Sequence, residues 1–167
     1  MDRPFGTYKR RMPHWRLPGR DYMVGWNLDR SQDGLSAPER SIVVSAIRYF
    51  EGERYDVHAF AVMNDHVHLI VKPLGGHELT TIMHSLKSYT ANRMRKDFNR
   101  RAPIWTREYW DRIIRNEADL RMKIRYVLDN PAKRWPGMER YPWCGVGRPA
   151  IPRREHVRSS RPEAGDT

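Results

Sequence analysis

The chain has 167 residues, one cysteine, and 31 Lys+Arg against 20 Asp+Glu, for a formal net charge of +11. That length suits one domain with a sizeable core. The lone Cys144 excludes an intramolecular disulfide and any cysteine-built zinc finger, and no apolar run approaches the ~20 residues of a membrane span. The opening Met1-Asp2-Arg3-Pro4 has no apolar stretch of signal type, so the reading is a soluble, cytoplasmic protein. Its charge favours a polyanionic partner.

Residues 1–19 are basic and proline-bearing and read as an arm. Tyr22-Met23-Val24-Gly25-Trp26 reads as a first strand, with Gly25 marking a bulge or a close backbone approach. Ser36-Ala37-Pro38-Glu39 is a helix start: Ser36 as N-cap, Pro38 in the first turn, and Glu39 placed for a capping box. Ile42, Val43, Ala46, Ile47 and Phe50 follow at helical spacing, and Gly52 ends the helix.

Two strands come next, over 55–63 and 66–71. Asn64-Asp65 forms a two-residue hairpin turn between them, since both residues tolerate unusual backbone angles. A long helix is predicted over 79–98, with Ile82, Leu86, Tyr89 and Met94 inward and Lys87, Arg93, Arg95 and Lys96 outward. A strand is expected over 110–114. Asn116 then caps a helix with an apolar stripe of Leu120, Ile124, Val127 and Leu128, stopped at Asn130-Pro131. Residues 148–167 read as a flexible basic tail, leaving 20–147 as the domain.

The order β-α-β-β-α-β predicts an α+β fold, a ferredoxin-like (RRM-like) antiparallel sheet with two helices on one face. The extra C-terminal helix is left for the open face or an edge.

In the strand over 66–71, His66 and His68 share one face and Val67, Leu69 and Val71 the other, with the two histidine Cα atoms about 6.6 Å apart. The apolar side meets the helices, so both imidazoles face the open side, where they can converge on one cation. Two histidines do not complete a metal site. Tyr126 and Asn130 lie one turn apart on the last helix, so Asn130 can offer an amide oxygen if that helix covers the histidine strand. Two surface histidines and an ordinary helical tyrosine remain the plainer alternative.

The run Val62-Met63-Asn64-Asp65-His66-Val67-His68-Leu69-Ile70-Val71 resembles the HUH motif of single-tyrosine transposases. Ser85-Leu86-Lys87-Ser88-Tyr89-Thr90, residues 105–112 and residues 124–131 are similar to three further blocks of that family, in its order. The likeness spans about residues 20 to 145. It is closest to the REP-associated tyrosine transposases, linked to repetitive extragenic palindromes. Asn64 departs from the family's usual turn residue, and the segment beyond Trp143 diverges.

The resemblance implies a metal-dependent single-stranded DNA endonuclease and strand transferase. His66 and His68 fall on its metal pair, Tyr126 on its nucleophile and Asn130 on its third polar ligand. Two imidazoles alone suit zinc or manganese better than magnesium, whereas the resemblance implies Mg2+ or Mn2+. It also implies a 5′-phosphotyrosine intermediate on hairpin DNA and favours a monomer over a homodimer that trades tyrosine helices. Expected DNA contacts are Arg10, Arg11, Lys87, Arg93, Arg107, Arg112, Arg115 and Lys133, with Trp105 and Trp110 able to stack unpaired bases. The rival reading is a non-catalytic ferredoxin-like module that binds palindromes or RNA.

Overall fold

In the computed structural model, residues 19–149 are described. The elements are β1 (Tyr22–Leu28), α1 (Ala37–Tyr49), β2 (Tyr55–Val62), β3 (His66–Pro73), α2 (Leu79–Phe98), β4 (Trp105–Ile113), α3 (Glu117–Arg134) and β5 (Cys144–Val146). The five strands form one sheet in the order β4-β1-β3-β2-β5, every neighbouring pair antiparallel. The ferredoxin-like expectation therefore holds. The arm with Arg10 and Arg11, and the tail beyond Pro149, lie outside the described residues.

Local chemistry sets the elements. The capping box at α1 is complete: the Ser36 hydroxyl accepts from the Glu39 N–H, and the Glu39 carboxylate accepts from the Ser36 N–H at 3.0 Å. Asn116 Oδ1 caps α3 by accepting from the Asp119 N–H at 2.9 Å. The Asn64-Asp65 turn closes with the Met63 N–H donating to the His66 carbonyl at 2.8 Å.

Alternation splits the sheet into two apolar layers. Val24, Trp26, Val67, Leu69 and Val71 join α1 and α2 through Val43, Ile47, Ile82, Met83 and Met94. Met23, Ala59, Ala61, Ile70 and Ile114 form the second layer with Val127 of α3. The last helix thus covers the open face of its own sheet.

Four details differ from expectation. β4 begins at Trp105, five residues early. Its charged first half lacks alternation, and antiparallel pairing with β1, offset by a register shift near Leu28, defines it instead. α3 runs through Pro131 to Arg134. The proline forfeits one N–H, but its carbonyl still accepts from the Trp135 N–H at 2.9 Å, so the last turn closes. Tyr89 is 48% exposed, its hydroxyl accepting from Arg93 on the outer face of α2. Finally, β5 pairs with Ala59–Ala61 from within a stretch with no strand pattern.

Candidate active site

β3 is the middle strand, and both histidines project toward α3. Their ring centroids lie 4.7 Å apart with planes at 81°. His66 Nδ1 is 2.7 Å from Asp65 Oδ1, and Asp65 Oδ2 accepts from Arg134 Nη2 at 3.3 Å. The hydrogen bond to His66 holds the Asp65 carboxyl below the usual range, against the opposing effect of burial. An imidazole pinned through Nδ1 to a carboxylate presents Nε2 outward, the arrangement that orients metal-binding histidines.

His68 is buried, walled by His66, by Trp110 at 5.8 Å and by Tyr126 at 5.8 Å between ring centroids. Burial, then the neighbouring His66, push its pKa down to about 3. The ring is neutral, with a lone pair to offer. Its Nδ1 is shut from solvent and has no hydrogen-bond partner among the described residues.

Gly25 pairs with both His68 and Trp110. A Cβ there would stand 2.4 Å from the indole, so the missing side chain is what lets Trp110 lie across β1 toward His68. This is the close approach the sequence suggested.

Tyr126, Asn130 and Arg134 form one i, i+4, i+8 row along α3. Tyr126 meets His68 at one end, and Arg134 meets Asp65, the partner of His66, at the other. Asn130 occupies the turn between. Tyr126 is half-buried at the edge of the second apolar layer, with Lys133 Nζ 5.2 Å from its ring centroid.

Among the described residues, no three His, Cys, Asp or Glu side chains converge to hold a metal. A three-residue ligand set drawn from this site would be His66, His68 and the Asn130 amide oxygen. The orphaned His68 nitrogen and the Asp65-oriented His66 fit such a role.

The basic residues divide. Arg112, on β4 opposite Met23, and Lys133 share the histidine side of the sheet and are exposed. Arg93 lies on α2, across the sheet, and donates to Asp97 and Tyr89. Lys87 Nζ donates to the carbonyls of Thr106 (2.7 Å) and Arg107 (3.0 Å), securing α2 to β4. Arg107 and Arg115 are exposed at the two ends of β4. Trp105 is a core residue whose Nε1 donates to Thr90 Oγ1 at 2.9 Å; Trp110 is the half-buried one beside the site.

Asp65, which holds His66, and Arg134, which holds Asp65, belong to the site although the sequence marks the one only as a turn residue and the other not at all. The usable signal is a carboxylate in the turn, directly preceding the first histidine.

The sequence profile of IS200-like transposases matches residues 41–130, more than half of the chain. The chain belongs to the IS200-like transposase family, a class of DNA-cleaving enzymes. None of the curated protein sequences matches. Among solved structures, the fold is similar to a REP-associated tyrosine transposase bound to a REP hairpin: TM-score 0.61 and 22% identity, covering 78% of this chain and 75% of that one. A Deinococcus radiodurans R1 protein, assigned provisionally as a transposase, aligns with TM-score 0.49 and 19% identity over 72% of this chain and 97% of that one. No described helix is long and apolar enough to cross a membrane.

Proposed function

We propose that this protein is a metal-dependent single-stranded DNA endonuclease and strand transferase. Its substrate would be REP-type palindromic hairpins, joined to the enzyme through a 5′-phosphotyrosine on Tyr126. One observation carries the reading. The Tyr126 ring stands 5.8 Å from that of His68, on the sheet face that bears both histidines, delivered by a helix of the same chain.

His66, His68 and Asn130 would hold Mg2+ or Mn2+, which when bound polarises a non-bridging phosphate oxygen and fixes the scissile bond. Asp65 keeps His66 in the tautomer with Nδ1–H inward and Nε2 free. The Tyr126 oxygen attacks phosphorus as its proton leaves. The tyrosine O–P bond forms, the P–O3′ bond breaks, and the departing oxygen is protonated to a free 3′-OH. A second 3′-OH reverses the exchange and releases the phenol, so the strand is rejoined with no external energy source. Lys133 and Arg112 put positive charge beside the path of the phosphates. Arg10, Arg11, Lys87, Arg93, Arg107 and Arg115 are the further proposed DNA contacts. Because one chain supplies every group, the reading favours a monomer.

The test is Tyr126→Phe on a single-stranded hairpin oligonucleotide with Mg2+ or Mn2+. Wild type should yield a protein–DNA adduct resistant to denaturation; the variant should yield none while binding the oligonucleotide nearly as well. An adduct surviving in the variant refutes the nucleophile. A wild type that binds but never forms one points to the non-catalytic module.

A further inference from the structure

Beside the histidine site lies a cleft of about 450 Å³, lined by Arg40, Asn64, Trp135, Arg140, Tyr141 and Trp143. We infer that it seats one unpaired nucleobase of the substrate strand, adjacent to the scissile phosphate. The inference rests on the proposed DNA-processing function and adds to it a base-binding subsite.

Three observations support it. The first is the wall. Trp135 and Tyr141 are stacked at 5.4 Å with planes 24° apart, and Trp143 meets Tyr141 edge-on at 5.3 Å. Hydrogen bonds lock two of these rings: the Tyr141 hydroxyl donates to the Val62 carbonyl at 2.6 Å, and Trp143 Nε1 donates to Ser41 Oγ at 3.0 Å. The Arg40 guanidinium lies 4.0 Å from the centroid of Trp143. A preformed aromatic surface of this kind is what unpaired bases stack on, whatever their sequence.

The second is polarity. Arg40 Nε and Asn64 Oδ1 are shut from solvent and have no hydrogen-bond partner among the described residues. Both side chains are only half-buried, so by turning toward the cleft the Arg40 guanidinium and the Asn64 amide can pair these groups with a base edge, which offers both a donor and an acceptor. Arg140 is exposed at the same cleft, where it can meet a phosphate.

The third is position. Asn64 precedes Asp65, which pins His66, and Trp135 follows Arg134, which pins Asp65. Cleft and histidine site therefore share a wall, and a strand with its phosphate at the histidines has its neighbouring base within reach.

The experiment uses the full chain and a fluorescent hairpin oligonucleotide with single-stranded flanks, without divalent metal so that nothing is cut. Each flanking nucleotide is replaced in turn by an abasic one. One position should weaken binding by roughly 5- to 150-fold, the range expected for a stacked base. Trp135→Ala should weaken intact DNA similarly and add little further loss on that abasic strand. In wild type, 5-iododeoxyuridine at that position should photocrosslink to Arg40, Asn64 or the 135–143 segment, a readout that stands even if Trp135→Ala fails to fold. Abasic strands that all bind within twofold of the intact one, or crosslinks confined elsewhere, overturn the inference. Loss of the Tyr126 adduct chemistry with the abasic pattern intact would sink the proposed catalysis and leave the base site standing.

Discussion

Replacing Gly25 by alanine tests how the histidine pocket is walled. The new Cβ would sit 2.4 Å from Trp110 Cε2 and Cζ2 and 2.6 Å from Nε1. Carbon contacts settle near 3.5–4.0 Å, so the indole must retreat by roughly 1.1–1.6 Å. Overpacking of that kind costs about 1–3 kcal/mol, read as a fall in Tm of about 2–4 °C per kcal/mol for a chain of this size. The displaced ring is also the one facing His68, so the pocket opens as stability drops. Thermal or urea unfolding followed by circular dichroism measures the effect. In a Trp110→Ala background the clashing atoms are gone, and Gly25→Ala should then be near neutral. A single Gly25→Ala variant within about 0.5 kcal/mol of wild type, or a double variant whose losses simply add, would refute the argument.

Asp65→Ala should weaken Mn2+ binding by roughly 10- to 100-fold, measured by calorimetry, because His66 loses the carboxylate that orients it. Thr90→Val should cost about 1–3 kcal/mol in urea unfolding, since the Trp105 N–H is left buried and unpaired. Arg100 donates to the buried Glu39 and to the carbonyls of Asp33 and Gly34, so Arg100→Met should cost about 3–5 kcal/mol by the same assay. Burial alone would raise the Glu39 carboxyl, yet the Arg100 and Ser36 hydrogen bonds hold it below the usual range. Its stabilising contribution is therefore complete above the ordinary glutamate range and is lost as pH falls through the depressed folded-state value. The acid limb of a stability–pH curve should flatten in Arg100→Met.

Much of this was legible because two periodicities were clean. Val67, Leu69 and Val71 alternate with His66, His68 and Ile70, and that alternation alone assigns the histidines to the face opposite the two core helices. Ser36 and Asn116 announced their helices through side chains that bond their own backbone. Elements shaped by distant neighbours were not legible. β4 owes its first half to backbone pairing with β1, and β5 owes its three residues to an available edge on β2. Pro131 disfavours helix locally, but one further turn packed on the sheet overrides it, and that turn carries Arg134 to Asp65. The cleft leaves no local signature, because Arg40 and Trp143 are over a hundred positions apart in the chain.

Stiffness is unevenly shared across the proposed catalytic centre. β3 is bonded to a neighbour along both edges, so the imidazoles are carried by a strand that cannot shift without breaking ladder bonds on both sides. The phenol rides on a helix held from one side only, with Met122 in open water on its outer surface. In the proposed reaction, Tyr126 would carry a strand end while a second end arrives. Fixed jaws and an independently mounted arm would divide that labour, so that recoil of a loaded residue need not disturb the grip on the next phosphate.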